Sequence, residues 1–236
     1  MMNNFSPNMI KTYLICPKKY YFQYVENINV PKSVLPFEKG KKIHALANYY
    51  LQKIKIERIE TALTDTEREV WELLKQNPFY NMDYLKSEFT LSIRLTPHPT
   101  SLPNREGEVA GEFVTHANAG EVYYVGGRLD ALVYTDENYY ILDYKTGSIP
   151  RNPEFDPQTM IYLLCADRFL ADYKSLSFVY IDLKNQQNYV IEFNEQLKTK
   201  YENELIKICK DITSDTLYKC NPNSCKYCEY DKICAH

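Results

Sequence analysis

The chain has 236 residues with 44% hydrophobic and 25% charged positions, the balance of an ordinary globular protein, and no apolar run approaches the ~20 residues of a membrane-crossing helix. A net charge of −3 argues against a protein that coats nucleic acid through bulk basicity, while leaving room for a local basic groove. Seven cysteines are an odd number that cannot close into a disulfide set, and MMNNFSPNMIK lacks the basic start and apolar core of a leader, so the expected location is the cytoplasm and the expected use of clustered cysteine is metal binding.

Residues 5–25 read as two short helices. Ser6 caps the first, Pro7 suits its first turn, and Cys16-Pro17 separates it from a helix rich in Tyr20, Tyr21, Phe22 and Tyr24 beside Lys18 and Lys19. The plain reading of those aromatics is core with a basic edge. Residues 26–38 form a connector. From Gly40 to about 56 an apolar stripe of Ile43, Ala47, Tyr50 and Ile54 predicts a helix with His44 at the stripe's edge. Thr64-Asp65-Thr66-Glu67 is a capping box opening a helix that stops at Asn77-Pro78.

Residues 88–95 alternate as a strand, 96–106 form a proline-marked loop carrying His98, and 108–116 and 121–125 read as strands around Asn118-Ala119-Gly120. The next stretch, GGRLDALVYTDENYYILDYK (126–145), is a hairpin. Asp156 and Pro157 then open a helix with Gln158, Tyr162, Cys165 and Phe169 on one face. Two strands, 176–183 and 188–193, and a helix from 195 to about 212 complete the pattern. This order predicts an α/β fold: a central mixed β-sheet flanked by helices.

The hairpin carries the chemistry-bearing residues. If 135–138 is its turn, Tyr134 faces Tyr139, and counting back sets Asp130 opposite Asp143, about 5 Å away on one face. Opposed carboxylates repel, and a divalent cation removes that cost. Lys145, two residues beyond Asp143, lies beside the same point, where it can steady charge on a phosphate. D-x-K alone is common, and by itself it is better read as a plain surface salt bridge between Asp143 and Lys145.

Cys225-x₂-Cys228-x₅-Cys234 offers three thiolates, one short of a tetrahedral zinc or an iron–sulfur cluster. Cys220, by proximity, or Cys16, by joining the two ends of the chain, would supply the fourth. Cys165 and Cys209 read as helix packing.

Taken together, Cys16-Pro17 with its basic aromatic helix, Gly40-Lys41-Lys42-Ile43-His44, Gly127-Arg128-Leu129-Asp130, Leu142-Asp143-Tyr144-Lys145-Thr146-Gly147, Gln158-x₃-Tyr162 and the cysteine tail resemble the RecB-like branch of the PD-(D/E)XK nuclease superfamily, over nearly the whole chain. The resemblance implies a restriction-endonuclease-like core in one domain spanning 1–236. It implies Mg²⁺ or Mn²⁺ held by His44, Asp130, Asp143 and the Tyr144 carbonyl, Lys145 as catalytic lysine, and Gln158 and Tyr162 positioning DNA or the lysine. It also implies that Cys16, Cys225, Cys228 and Cys234 hold a [4Fe–4S] cluster, with zinc as the alternative, stapling 1–25 to 213–236. Glu88 is an acid that this pattern does not place.

The implied activity is a DNA exonuclease, with endonuclease activity open, acting on single strands or free ends in repair, recombination or CRISPR spacer acquisition. The alternative is an iron–sulfur module that binds DNA ends for a helicase or integrase partner. The chain itself carries no G-x-x-x-x-G-K-[ST] phosphate loop.

Overall fold

A computed structural model describes residues 3–30, 35–97 and 121–234. The expected loop with His98 and the expected strand at 108–116 lie outside these residues. Among the described residues the chain runs β1 (Asn4–Phe5), α1 (Pro7–Ile15), α2 (Pro17–Tyr20), α3 (Leu35–Leu51), α4 (Glu57–Thr61), α5 (Asp65–Gln76), β2 (Asp83–Leu95), β3 (Tyr123–Thr135), β4 (Asn138–Lys145), α6 (Pro157–Phe169), β5 (Ser175–Asp182), β6 (Gln187–Glu192) and α7 (Glu195–Ser214). A wide helical turn, Tyr21–Val25, extends α2.

The six strands form one mixed sheet. β2 pairs antiparallel along β3 from end to end. The other edge of β3 is shared: β1 pairs parallel with Tyr124–Val125, and β4 pairs antiparallel only from Thr135↔Asn138 to Ala131↔Leu142. β5 then continues parallel to β4 as far as Lys145↔Asp182, and β6 closes that side. β4 therefore leaves β3 while still paired to β5, and the sheet forks at residues 126–130 of β3.

Helices cover both faces, as expected. On one, Leu132, Ile141, Phe178 and Tyr180 pack against α6 and α7. On the other, Ala131, Val133, Leu142 and Val179 pack against Leu46 and Ala47 of α3 and Trp71 and Leu74 of α5. Every buried side chain of this size contributes roughly 1.5–3 kcal/mol, so the two layers fix the strands from which the functional residues project. No helix among the described residues is long and apolar enough to cross a membrane.

One expected helix ends early. The stripe predicted to reach Ile54 stops at Leu51: Ile54 is 47% and Tyr50 40% exposed, while Leu46 and Leu51 take the buried positions. Lys53 adopts φ 57°, its amide donates to the Tyr50 carbonyl at 2.9 Å, and the Ile54 amide reaches back to Tyr49 at 2.9 Å. That is the paired left-handed cap which glycine normally fills, and a lysine there carries a left-handed backbone cost. Lys53→Gly is expected to raise stability by about 1 kcal/mol, read as a higher midpoint in urea unfolding with unchanged slope; an unchanged or lower midpoint would refute this account of the cap.

Candidate active site

The fork is propped open by Asp130. Its Oδ2 accepts the Tyr144 amide at 3.1 Å, in place of a ladder bond between β3 and β4. Its Oδ1 lies 3.1 Å from Nδ1 of His44, and Nε2 of His44 lies 3.1 Å from the Tyr144 carbonyl oxygen. Carboxylate and carbonyl only accept, so both ring nitrogens must carry protons to satisfy both partners. Burial pulls the His44 pKa down, but the Asp130 carboxylate, with Asp143 and the Tyr144 carbonyl, outweighs it and leaves the pKa raised.

The register counted from Tyr134↔Tyr139 is the observed one. Its extension to an opposed Asp130–Asp143 pair does not form, because the ladder ends at Ala131↔Leu142. Leu129 and Leu132 both join the α6 face, an odd spacing that breaks the strand's alternation at Asp130. The Asp130 side chain therefore lies within the fork, against His44 of α3.

Asp143 takes the other side of the fork. It is 3% exposed. Its Oδ1 accepts the side-chain amide of Gln158, and its Oδ2 lies 2.7 Å from the Lys145 ammonium. That Oδ2 is buried, and the Lys145 ammonium is its close polar neighbour. Burial first, and the Asp130 charge second, push the Asp143 pKa up, against the pull of Lys145. With Asp143 this deeply buried, the Asp143–Lys145 contact is not the solvated surface pair of low value.

Gln158 is delivered by the first turn of α6, where Asp156 caps the helix by accepting the Gln158 amide at 2.9 Å. Its Oε1 receives Lys145 at 3.4 Å. Tyr162, one turn on, donates to the Arg128 carbonyl at 2.7 Å and so holds an unpaired edge group of β3. Gly127 permits this closeness: a β-carbon there would sit 2.9 Å from the Tyr162 ring.

Sequence reasoning left out Glu88. Its carboxylate, with His44 and Asp130, offers three ligand atoms within 4.8 Å of one another. β2 is in register so that Ser87 faces Ala131 and Phe89 faces Leu129, which puts Glu88 abreast of Asp130. Glu88 adopts φ 46°, a strained left-handed conformation on a strand, and Arg128 Nε meets its carboxylate at 2.8 Å. An acid abreast of Asp130 on the neighbouring strand was the available signal, and it needed the strand's full extent, which the sequence pattern did not show.

These donors fit a hard divalent cation: carboxylate oxygens, one imidazole nitrogen and a carbonyl oxygen, next to the buried Asp143 carboxylate. The His44 proton directed at Asp130 or Tyr144 stands where a cation would share the same acceptors.

At the far end of α1, Cys16, Cys220, Cys225, Cys228 and Cys234 line one pocket with Lys19, Phe22 and Tyr230. Cys220, set aside by sequence reasoning, has its sulfur 3.5 Å from that of Cys225. Burial pushes the Cys16 thiol up, but amides of Asn221, Lys19 and Lys18 outweigh it and leave it lowered. Cys225, chiefly through Cys220, and Cys234, chiefly through burial, are pushed up to about 11. Crowded thiolates repel one another until a cation is shared among them, and this donor set suits a soft metal group. Cys165 and Cys209 are buried in the α6–α7 layer and pushed up to about 12 by burial, as packing residues are.

The chain is similar to the CRISPR-associated exonuclease Cas4 of Francisella tularensis subsp. novicida (strain U112), 24% identical over 235 residues that cover 96% of this chain and 91% of the relative. Its fold is similar to a solved structure from Eubacterium rectale described as a candidate exonuclease, with a TM-score of 0.54 and 9% identity over 99% of this chain and 90% of that one. The crystal structure of SSO0001 aligns over 99% of this chain and 86% of that one with a TM-score of 0.48 and 16% identity. The PD-(D/E)XK nuclease superfamily model matches residues 4–235. A forked sheet with its acids and lysine at the fork, and a family match over almost every residue, place the chain in the PD-(D/E)XK nuclease superfamily.

Proposed function

We propose that the protein is a Mg²⁺- or Mn²⁺-dependent DNA exonuclease working in the cytoplasm, with CRISPR spacer acquisition the favoured setting because the relative above is a CRISPR-associated exonuclease. The observation that carries the reading is the convergence of His44, Glu88 and Asp130 ligand atoms within 4.8 Å, beside the buried Asp143 and its ion pair to Lys145. His44, Asp130, Asp143 and the Tyr144 carbonyl would hold the cation, with Glu88 a further ligand. A bound divalent ion supplies Lewis acidity at the phosphoryl oxygen.

The chain's own groups do the rest. Asp143 fixes the Lys145 ammonium, which donates to the phosphate as negative charge develops there. Gln158 holds Asp143 and Lys145 in one arrangement, and Tyr162 keeps β3 in place beside them.

Asp143→Asn and Lys145→Ala are each expected to lower cleavage of end-labelled DNA at least about a hundredfold; Asp143→Asn is expected to leave the melting temperature within a few degrees, and Lys145→Ala, which strips the buried Asp143 carboxylate of its ammonium, to lower it further. Cleavage at wild-type rate by either purified variant would sink the assignment. Because an imidazole joins the oxygen donors, Mn²⁺ is expected to support cleavage at lower concentration than Mg²⁺, and His44→Ala to shrink that advantage. Equal requirement for both ions in the wild type would remove His44 from the ligand set.

The cysteine pocket is proposed to hold a [4Fe–4S] cluster through Cys16, Cys225, Cys228 and Cys234, with zinc as the alternative, joining 1–25 to 213–236 within one nuclease domain spanning 1–236. Anaerobically purified protein is expected to contain about four iron atoms per chain and a broad visible absorption. Cys225→Ser is expected to lose both, and stoichiometric zinc without iron would decide for the alternative.

A further inference from the structure

α1 carries a residue into the active site that none of the family motifs above includes. Lys11, 27% exposed, sends its ammonium 2.7 Å from Asp156 Oδ1 and 3.4 Å from Gln158 Oε1. Lys145, at the end of β4, approaches the same Gln158 oxygen at 3.4 Å. Gln158 Nε2 meanwhile donates to Asp143. Ammonium groups only donate and an ionised carboxylate only accepts, so just one orientation of the Gln158 amide satisfies all its neighbours.

α1 is itself held firmly. Ser6 caps its start, β1 ties it to β3, and Pro7 lies against the Gly127–Tyr162 contact. At its other end the Asn221 side-chain amide donates to the Ile15 carbonyl at 2.8 Å, and the Asn221 backbone amide donates to the Cys16 sulfur at 3.3 Å. The helix that ends in the cysteine pocket therefore presents Lys11 to the catalytic glutamine.

We propose that Lys11 is a positioning residue that locks the Gln158 side-chain amide, through Gln158 Oε1 and the capping Asp156, so that Asp143 and Lys145 stay in register for the reaction. The proposal rests on the nuclease reading for its kinetic effect but not for its structural one. A lysine that merely gripped DNA would change substrate affinity; a lysine that acts through Gln158 changes the chemical step.

The test compares wild type, Lys11→Met, Lys11→Arg, Asp156→Asn and Lys145→Ala on end-labelled DNA with Mn²⁺. Lys11→Met is expected to lower kcat roughly fivefold to tenfold with KM for DNA changed less than twofold, and Lys11→Arg to keep at least half the wild-type kcat. Asp156→Asn retains a good helix cap but weakens the grip on Lys11, and is expected to fall between them. In ¹⁵N-labelled protein without DNA, the Gln158 side-chain NH₂ signal, assigned by its loss in Gln158→Glu, is expected to exchange with water several-fold faster in Lys11→Met than in wild type. An unchanged kcat in Lys11→Met, a rise in KM alone, or equal amide exchange rates would each overturn the proposal. Failure of the wild type to cleave would instead overturn the nuclease reading, and the exchange measurement would still decide the role of Lys11.

Discussion

The arrangement depends on one carboxylate taking the place of a strand pairing. In a continuous antiparallel ladder the Tyr144 amide would bond to the backbone of β3; here it donates to Asp130 Oδ2 instead. That substitution lets β4 part from β3 while β5 holds β4 straight through Lys145. It also turns the Tyr144 carbonyl toward His44. Without such a partner, the backbone groups of the fork would be unsatisfied in a partly buried place, at about 1–3 kcal/mol each. Asp130 thus creates the opening and would also furnish a ligand to a cation bound there, and for this reason its replacement is expected to disturb architecture as well as chemistry.

The fork then divides the acids into two environments. Asp130, Glu88 and His44 sit together, with Arg128 balancing Glu88. Asp143 sits deeper, against Lys145 and Gln158. Burial that raises the Asp143 pKa is costly for an isolated carboxylate and tolerable beside an ammonium. With His44 protonated on both ring nitrogens, three cations (His44, Arg128 and Lys145) face three carboxylates (Asp130, Glu88 and Asp143) around the fork. A divalent ion would take the place of the His44 protons among the same acceptors, and it is the convergence of imidazole, carboxylate and carbonyl donors that fits the site to one.

Much of this was legible in the residues. Two residues of left-handed backbone, Asp136 and Glu137, make the tight turn that fixes Tyr134 opposite Tyr139, and a short polar turn between alternating segments announced it. Asp156-Pro157 announced α6 because capping and proline placement are local chemistry. What could not be read was non-local. The end of the β3–β4 pairing depends on where Asp130 finds its hydrogen bonds, and β1 is two residues long, held only by β3. Glu88 lies on a strand whose first half, from Asp83, has no clean alternation, and its backbone is strained. The α3 cap uses lysine where glycine would have marked the stop.

The tail shows how a segment with little core of its own becomes ordered. Tyr218 lies within ring contact of Tyr20 and Tyr21, Tyr230 packs on Phe22 and donates to the Ile28 carbonyl, Lys19 pairs with Glu229, and Lys18 donates to the Lys219 carbonyl. The aromatics of α2 and its following turn thus serve chiefly as a seat for the tail, matching the plain reading of them as core. These contacts seat the tail so that its cysteines meet Cys16 in one pocket. Five sulfurs at that pocket exceed the four a tetrahedral ion or a cubane uses. Cys16 is built into the end of α1, with its thiol pKa lowered by backbone amides, whereas Cys220 sits on the tail against Cys225. The Cys16 thiol with its lowered pKa and the Cys220 sulfur against Cys225 thus bring two different sources of a fourth sulfur to the same pocket.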